Sequence, residues 1–257
     1  MRLINCKEYA QTILDKVKAD PRKRALMIVS MGDNPASNAY VKGKLKDCEY
    51  CGIPSIHKRV ETERELAEAI YEGDMNDAVA GIIVQLPLPE DIDEDLYTDL
   101  VVTSKDVDGF KMGSYYTPCT PEGIMYVLRH EFEDLRGKRV LVIGRGKLVG
   151  IPMVGELLDA DCTVTIAHSK TTNLDVLLKE NDIIISAVGK PKLVDLKKCN
   201  AEVVIDVGIN RDENGKLCGD CYNFEDTGEG MRVTSVPGGI GLMTRAILME
   251  HVARASK

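Results

Sequence analysis

The stretch Val140-Leu141-Val142-Ile143-Gly144-Arg145-Gly146-Lys147-Leu148-Val149-Gly150 decides the fold. Four apolar residues in a row read as a strand buried on both faces, which belongs in a parallel sheet covered by helices. They run into a glycine-rich turn, and a helical pattern over Val149–Leu158 follows. A strand, a tight turn and a helix in that order bring backbone N–H groups to one point, where they can hold a pyrophosphate. The spacing G-x-G-x-x-x-G departs from the usual G-x-G-x-x-G, and alone such a turn also occurs as a plain connection. A second strand, Thr163–Ala167, begins about 20 residues further on, the separation a dinucleotide-binding unit has.

On both sides of this unit strands and helices alternate, which predicts parallel sheets. Before it, a helix is expected over Tyr9–Val17 and a buried strand over Arg24–Met31. Asn34 caps a helix with Pro35 in its first turn, Gly52 ends it, and Glu61–Tyr71 forms another helix. Ala80–Gln85 is an apolar strand broken by Leu86-Pro87-Leu88-Pro89, and a helix restarts over Pro121–Leu128. After it come a helix over Leu174–Leu178, strands over Ile183–Ala187 and Val203–Val207, and a closing helix over Gly241–Ala255. The fold class expected is α/β, with two α/β domains flanking a cleft. The first spans 1–120, with the final helix over 241–257 packing back on it. The second, Rossmann-like, dinucleotide-binding domain spans 121–240, with the boundary near 120–137.

A chain of 257 residues with 44% hydrophobic residues can build a sizeable core. Its net charge of -8 argues against nucleic acid or an anionic membrane as partner, since both need a cationic face. No apolar run approaches the roughly 18 residues of a membrane span, and the N-terminus lacks a signal-peptide layout. A cytoplasmic protein is expected. Two of the cysteine pairs, Cys48/Cys51 and Cys218/Cys221, have C-x-x-C spacing. A zinc site would need all four to converge, yet one pair lies in a helical pattern and the other in a strand-and-turn pattern. Free thiols and no metal are expected.

The second strand of the dinucleotide unit ends in His168-Ser169-Lys170-Thr171. An NAD site would place a carboxylate there to accept from the ribose hydroxyls. Here a hydroxyl and a cation stand instead, with Arg145 in the neighbouring turn, a set that suits a 2′-phosphate and so NADP. The same residues also read as a solvated loop. In the first domain, Tyr40 and Lys44 lie one turn apart on a helix face and could polarise or shuttle a proton. From spacing alone an ordinary surface pair is the commoner reading. Gln85 ends a buried strand, where ligands collect in parallel sheets. Lys105-Asp106-Val107-Asp108-Gly109 sets two carboxylates in a loop, suited to a pterin's amino-pyrimidine edge. A strand end and a solvated acidic turn describe these two segments equally well.

Eight motifs then carry a resemblance. S-x-x-Y-V-x-x-K, V-Q-L-P-L-P, K-D-V-D-G, P-C-T-P-x-G, G-R-x-x-x-V-G-x-P, A-V-G-K-P, D-V-G-I-N and P-G-G-I-G occur in that order between Ser37 and Met243. In this the chain resembles the bifunctional methylenetetrahydrofolate dehydrogenase/methenyltetrahydrofolate cyclohydrolase family. The resemblance implies NADP as cofactor, tetrahydrofolate substrates, a role in one-carbon metabolism and a homodimer. It implies that Lys44 is the central catalytic group, with Tyr40 beside the folate, Gln85 holding Lys44, and Asp108 gripping the pterin while Asp106 braces the loop. Val84, Leu86, Pro237, Gly238, Gly239 and Ile240 would line the folate side. Gly144, Gly146, Val149, Gly150 and His168 would hold the dinucleotide, Arg145 and Ser169 its 2′-phosphate, and Ala187, Val188, Gly189 and Ile209 would run toward the nicotinamide.

Three features depart from the family's pattern. Gly146 stands where serine is usual, Leu242 where proline is common, and the segment Lys111–Thr117 is shorter than the family's. That segment normally walls the substrate site, so its shortening bears on substrate affinity and on the balance of the two activities.

Overall fold

Two sheets organise the chain. In the first, the parallel strands Ser55–Val60, Ala25–Met31 and Val79–Val84 lie in that order. Ala25–Met31 is buried except at its last residue and Val79–Val84 throughout, as apolar runs between covering layers must be. Ser55–Val60 is one edge of this sheet, and its alternation of exposed and half-buried residues, with His57, Lys58 and Arg59, left it unread in the sequence. The helix Pro35–Cys51 follows the central strand, and Asn34 Oδ1 accepts from the Ser37 N–H at 3.3 Å. The helix Glu63–Met75 begins on a capping box in which Thr62 and Glu65 exchange side-chain and backbone bonds, worth about 1 kcal/mol.

The second sheet is parallel with six strands, ordered Arg2–Leu3, Arg232–Val233, Val203–Asp206, Ile183–Ser186, Arg139–Ile143 and Thr163–Ala167. The helices Gly150–Asp159 and Leu174–Glu180 connect its strands. Leu141, Ile143, Ala167, Leu178, Ile184 and Val204 belong to its core. The N-terminal strand is tied in by Glu131, whose buried carboxylate accepts from the Arg2 guanidinium at 2.5 Å, the Tyr9 hydroxyl at 3.0 Å and the Arg232 guanidinium at 3.1 Å.

The computed structural model describes residues 1–227 and 230–257. It divides into two units: Ala10–Cys119 with Arg245–Lys257, and Met1–Tyr9 with Thr120–Thr244. Residues 1–9 thus join the larger sheet, whereas the sequence pattern grouped them with the residues that follow. Residues 245–257 lie in the unit of the smaller sheet, where Arg245 Nε stands 2.9 Å from Asp47 Oδ2. No helix among the described residues is long and apolar enough to cross a membrane. Cys48 and Cys51 are buried in the helix Pro35–Cys51, and burial pushes their thiols up to about 12 and about 11. Cys218 and Cys221 end and begin two short strands of the other unit.

Candidate active site

Lys44 sits in the middle of its helix and is buried, at 4% exposure, an unusual place for a lysine without partners. Its ammonium donates to Gln85 Oε1 at 3.1 Å and stands 4.0 Å from Asp108 Oδ2. The Tyr40 ring lies one turn back, with its centroid 5.7 Å from the ammonium, within cation–π range. Gln85 follows the strand Val79–Val84 at its carboxyl end. Its own N–H donates to Val29 O at 2.8 Å, and its side-chain amide donates to Leu86 O at 2.6 Å, so its oxygen is fixed toward Lys44. Ser37 donates to the same Leu86 carbonyl at 3.5 Å.

The loop carrying Asp108 is braced by Asp106. The Asp106 carboxylate accepts from the N–H groups of Gly109, Phe110 and Lys111 at 3.1, 3.4 and 2.9 Å. Lys105 anchors the other side, donating to the carbonyls of Gly73, Asp74 and Asn76 at the end of the helix Glu63–Met75. Asp108 itself is buried, and burial raises its carboxyl above the usual value while Lys44 beside it pulls the other way. A cation, an amide oxygen, a carboxylate and an aromatic ring thus meet within one unit. Together they can hold a flat polar heterocycle and pass a proton at one point.

In the other unit, the carboxyl ends of three adjacent strands carry residues that the resemblance assigns to a dinucleotide. Ile143 pairs with Ala167 on one side and Ser186 on the other, so Gly144, His168 and Ala187 leave the sheet side by side. Gly144 has φ +115°, and a Cβ there would stand 2.5 Å from the Ala187 carbonyl oxygen. A Cβ on Gly150, at the start of the helix Gly150–Asp159, would overlap the Gly144 carbonyl. Side chains would fill this cradle; with glycines it can admit a pyrophosphate. Arg145 and Ser169 are exposed at the neighbouring strand ends, and neither side chain has a partner among the described residues. A guanidinium and a hydroxyl left without partners among the described residues, beside a turn kept open by glycines, suit a 2′-phosphate. His168 forms a turn, its N–H donating to Thr171 Oγ1 at 2.8 Å and its ring Nδ1 accepting from the Lys170 N–H at 3.2 Å.

Residues 4–108 match the family description "Tetrahydrofolate dehydrogenase/cyclohydrolase, catalytic domain", and residues 118–257 match "Tetrahydrofolate dehydrogenase/cyclohydrolase, NAD(P)-binding domain". The bifunctional protein FolD of Lachnoclostridium phytofermentans is 40% identical over 264 residues, covering 98% of this chain and 94% of that one. The chain belongs to the tetrahydrofolate dehydrogenase/cyclohydrolase family. The crystal structure of bifunctional FolD from Campylobacter jejuni superimposes with a TM-score of 0.94 at 37% identity, covering 100% of this chain and 98% of that one. That of the Trypanosoma brucei enzyme, complexed with NADP cofactor and inhibitor, gives a TM-score of 0.91 at 28% identity, covering 99% and 96%.

Of the residues expected from the family resemblance, Tyr40, Lys44, Val84, Gln85, Leu86 and Asp108 lie in the unit of the smaller sheet. Pro237, Gly238, Gly239 and Ile240 lie in the other unit, with Gly144, Arg145, Gly146, Val149, Gly150, Ala187, Val188, Gly189 and Ile209. The family's usual serine at position 146 would meet nothing within 4 Å of its Cβ, so space does not explain Gly146. The short segment Lys111–Thr117 is held by Lys111, which donates to Asp99 O and Val101 O, and by Ser114, which donates to Asp106 O. Met112 and Tyr115 are left 98% and 72% exposed.

Sequence reasoning missed His251 and Cys119. His251 is fully buried on the closing helix, with its Nδ1 2.8 Å from the Val107 carbonyl and its ring 4.7 Å from that of Tyr116. The Cys119 thiol lies 3.4 Å from the same carbonyl and 3.6 Å from the His251 Nδ1. Both brace the backbone immediately before Asp108. Cys119 stands in the quoted P-C-T-P motif, but nothing in the local pattern around His251 marked it.

Proposed function

We propose that the chain oxidises 5,10-methylene-tetrahydrofolate to the 5,10-methenyl form with NADP, and hydrolyses that product to 10-formyl-tetrahydrofolate. The observation that carries this reading is the buried Lys44 amine, held by Gln85 and facing Asp108, in a chain that also has an open glycine cradle with an unpaired Arg145. NADP, when bound, supplies the hydride acceptor. Gly144, Gly146, Val149 and Gly150 hold its pyrophosphate, Arg145, Ser169 and His168 its 2′-phosphate end, and Ala187, Val188, Gly189 and Ile209 its nicotinamide half.

Loss of the hydride with its electron pair leaves the bridge carbon as a cation shared between N5 and N10, and no proton needs a protein base. Asp108 and Tyr40 therefore act by positioning, Asp108 accepting from the pterin's amino-pyrimidine edge and Tyr40 covering the ring. Val84, Leu86 and the Pro237–Ile240 stretch line the folate. In the second reaction water adds to the bridge carbon and loses a proton, N5 gains a proton, and the bond to N5 breaks as the new hydroxyl gives up its own proton and becomes the formyl carbonyl, with one proton released overall. Lys44 moves these protons, with Gln85 fixing its amine.

The enzyme works in one-carbon metabolism, in the cytoplasm, as a homodimer, with no nucleic-acid or membrane partner. The test is methenyl formation measured with NADP and NAD in parallel, followed by methenyl decay without either. Faster turnover with NADP, and decay above the spontaneous rate, are expected. NAD preferred tenfold would refute the cofactor assignment, and decay at the spontaneous rate would leave only a dehydrogenase.

A further inference from the structure

Behind the turn Ala187–Lys190 lies a carboxylate that the mechanism above does not use. Asp220 is fully buried, and it accepts five hydrogen bonds. Its Oδ2 takes the Ser186 hydroxyl at 2.8 Å and the Val188 and Gly189 N–H groups at 3.0 and 3.4 Å. Its Oδ1 takes the Lys190 N–H at 2.8 Å and the Asn210 side-chain amide at 3.0 Å. Three successive backbone N–H groups are thereby turned toward one carboxylate. Burying such a group is costly unless every lone pair is used, and here they are.

Asp220 is in turn held by a second buried carboxylate. Asp206, at the end of the strand Val203–Asp206, accepts from the N–H groups of Gly208, Asp220 and Cys221 at 3.0, 3.0 and 2.9 Å. Gly208 and Gly219 make the room: a Cβ on the first would overlap the Asp220 carboxylate, and on the second the Asp206 carboxylate. The two aspartates knit together the carboxyl ends of two adjacent sheet strands and the hairpin Asn210–Cys218. On the outer side Val188 and Ile209 are left 44% and 59% exposed. The Ala187 carbonyl faces the Gly144 turn, as the space left by the missing Gly144 Cβ shows.

We propose that Asp220 is a positioning residue for the nicotinamide half of the cofactor: by clamping the N–H groups of Val188, Gly189 and Lys190 it fixes the Val188 and Ile209 surface on which that ring rests. The inference builds on the NADP reading above. Asp220 touches neither Arg145 nor Ser169, so the adenosine end keeps its contacts when the clamp is loosened. Asp220→Asn keeps the shape but sets an amide N–H₂ against either the Lys190 and Asn210 donors or the Ser186, Val188 and Gly189 donors.

The experiment compares binding of NADPH and of adenosine 2′,5′-bisphosphate, which lacks the nicotinamide, to the full chain. Nicotinamide fluorescence is the second readout, favoured because the chain has no tryptophan. Wild type should bind both. In Asp220→Asn the NADPH Kd should rise about tenfold and the nicotinamide fluorescence enhancement should fall, with the bisphosphate Kd changed less than twofold. Asn210→Ala, which removes one of the five bonds, should move the same readouts in the same direction by less, and serves if Asp220→Asn does not fold. Unchanged NADPH binding and fluorescence, or equal loss of both ligands in the two variants, would overturn the proposal. A wild-type chain that bound neither ligand would overturn the NADP reading and this inference with it.

Discussion

Replacing Lys44 by methionine should separate the two reactions. The amine is lost while the stem keeps most of its volume, in a site where the side chain is only 5% exposed. On the proposed mechanism hydrolysis loses the group that takes a proton from water and returns one to N5, and a positioned acid–base group contributes about 10²–10⁴-fold. Methenyl hydrolysis should therefore fall at least about a hundredfold. Dehydrogenation loses no proton-transfer group. Its loss comes through Asp108, which no longer has the ammonium 4.0 Å away and so takes up a proton more readily than burial already makes it. A pterin anchor weakened in this way costs about tenfold, equivalent to roughly 1.4 kcal/mol. The stability cost should stay below the roughly 3–5 kcal/mol of breaking a tight buried pair, because the separation is wide and Asp108 can neutralise itself. The assay is a pair of kcat/KM values for the folate, methenyl formation with NADP and methenyl decay without it, alongside a thermal melt. Equal loss of both rates in a folded variant would show that Lys44 only positions substrate, and unchanged hydrolysis would refute its chemical role.

Three further perturbations test other parts of the account. Arg145→Ala should cost about 1.5–3 kcal/mol of NADP binding and leave NAD binding nearly untouched, read as two dissociation constants; an equal change for both would contradict the 2′-phosphate assignment. Gly144→Ala forces a side chain into φ +115° and against the Ala187 carbonyl, so the melting temperature should drop by the equivalent of about 1–3 kcal/mol and NADP binding should weaken at least tenfold; a variant that binds NADP normally would show that the turn is not the cradle. Burial holds the Asp108 carboxyl above 3.8, so the folded chain keeps that proton more tightly than the unfolded one. Its contribution to stability is then full below that value and declines as pH rises through the raised one, while folate binding, which needs the carboxylate, should improve over the same window; a folate KM that is flat with pH down to about 4, or that changes identically in Asp108→Asn, would exclude Asp108 as the anchor.

The parts of this fold that could be read from sequence are those whose burial is written locally. Val140–Ile143 and Val79–Val84 are apolar on both faces, and a parallel sheet covered on both faces accepts such a run. Ser55–Val60 has the charges of an edge strand, and Asn210–Arg211 and Leu217–Cys218 are two residues each, too short for any period. Arg2–Leu3 joins the larger sheet by pairing with Arg232–Val233, and nothing near Arg2 foretells that partner. The same holds at the site. Lys44 and Gln85 were legible through the S-x-x-Y-V-x-x-K and V-Q-L-P-L-P motifs that carry the family resemblance, since spacing alone left an ordinary surface pair and a plain strand end. His251 beside Val107 and Asp220 behind Val188 are ordinary residues in their own segments, and only the folded backbone shows what they hold.

The central claim is that one chain performs both reactions in succession. It is tested most directly by starting from 5,10-methylene-tetrahydrofolate and NADP and following NADPH, the methenyl form and 10-formyl-tetrahydrofolate together by absorbance and mass spectrometry. The account predicts about one 10-formyl-tetrahydrofolate for each NADPH, formed faster than methenyl hydrolyses in buffer, with methenyl accumulating only in the Lys44→Met enzyme. Wild-type enzyme that accumulates methenyl in step with NADPH, and loses it only at the buffer rate, would contradict it.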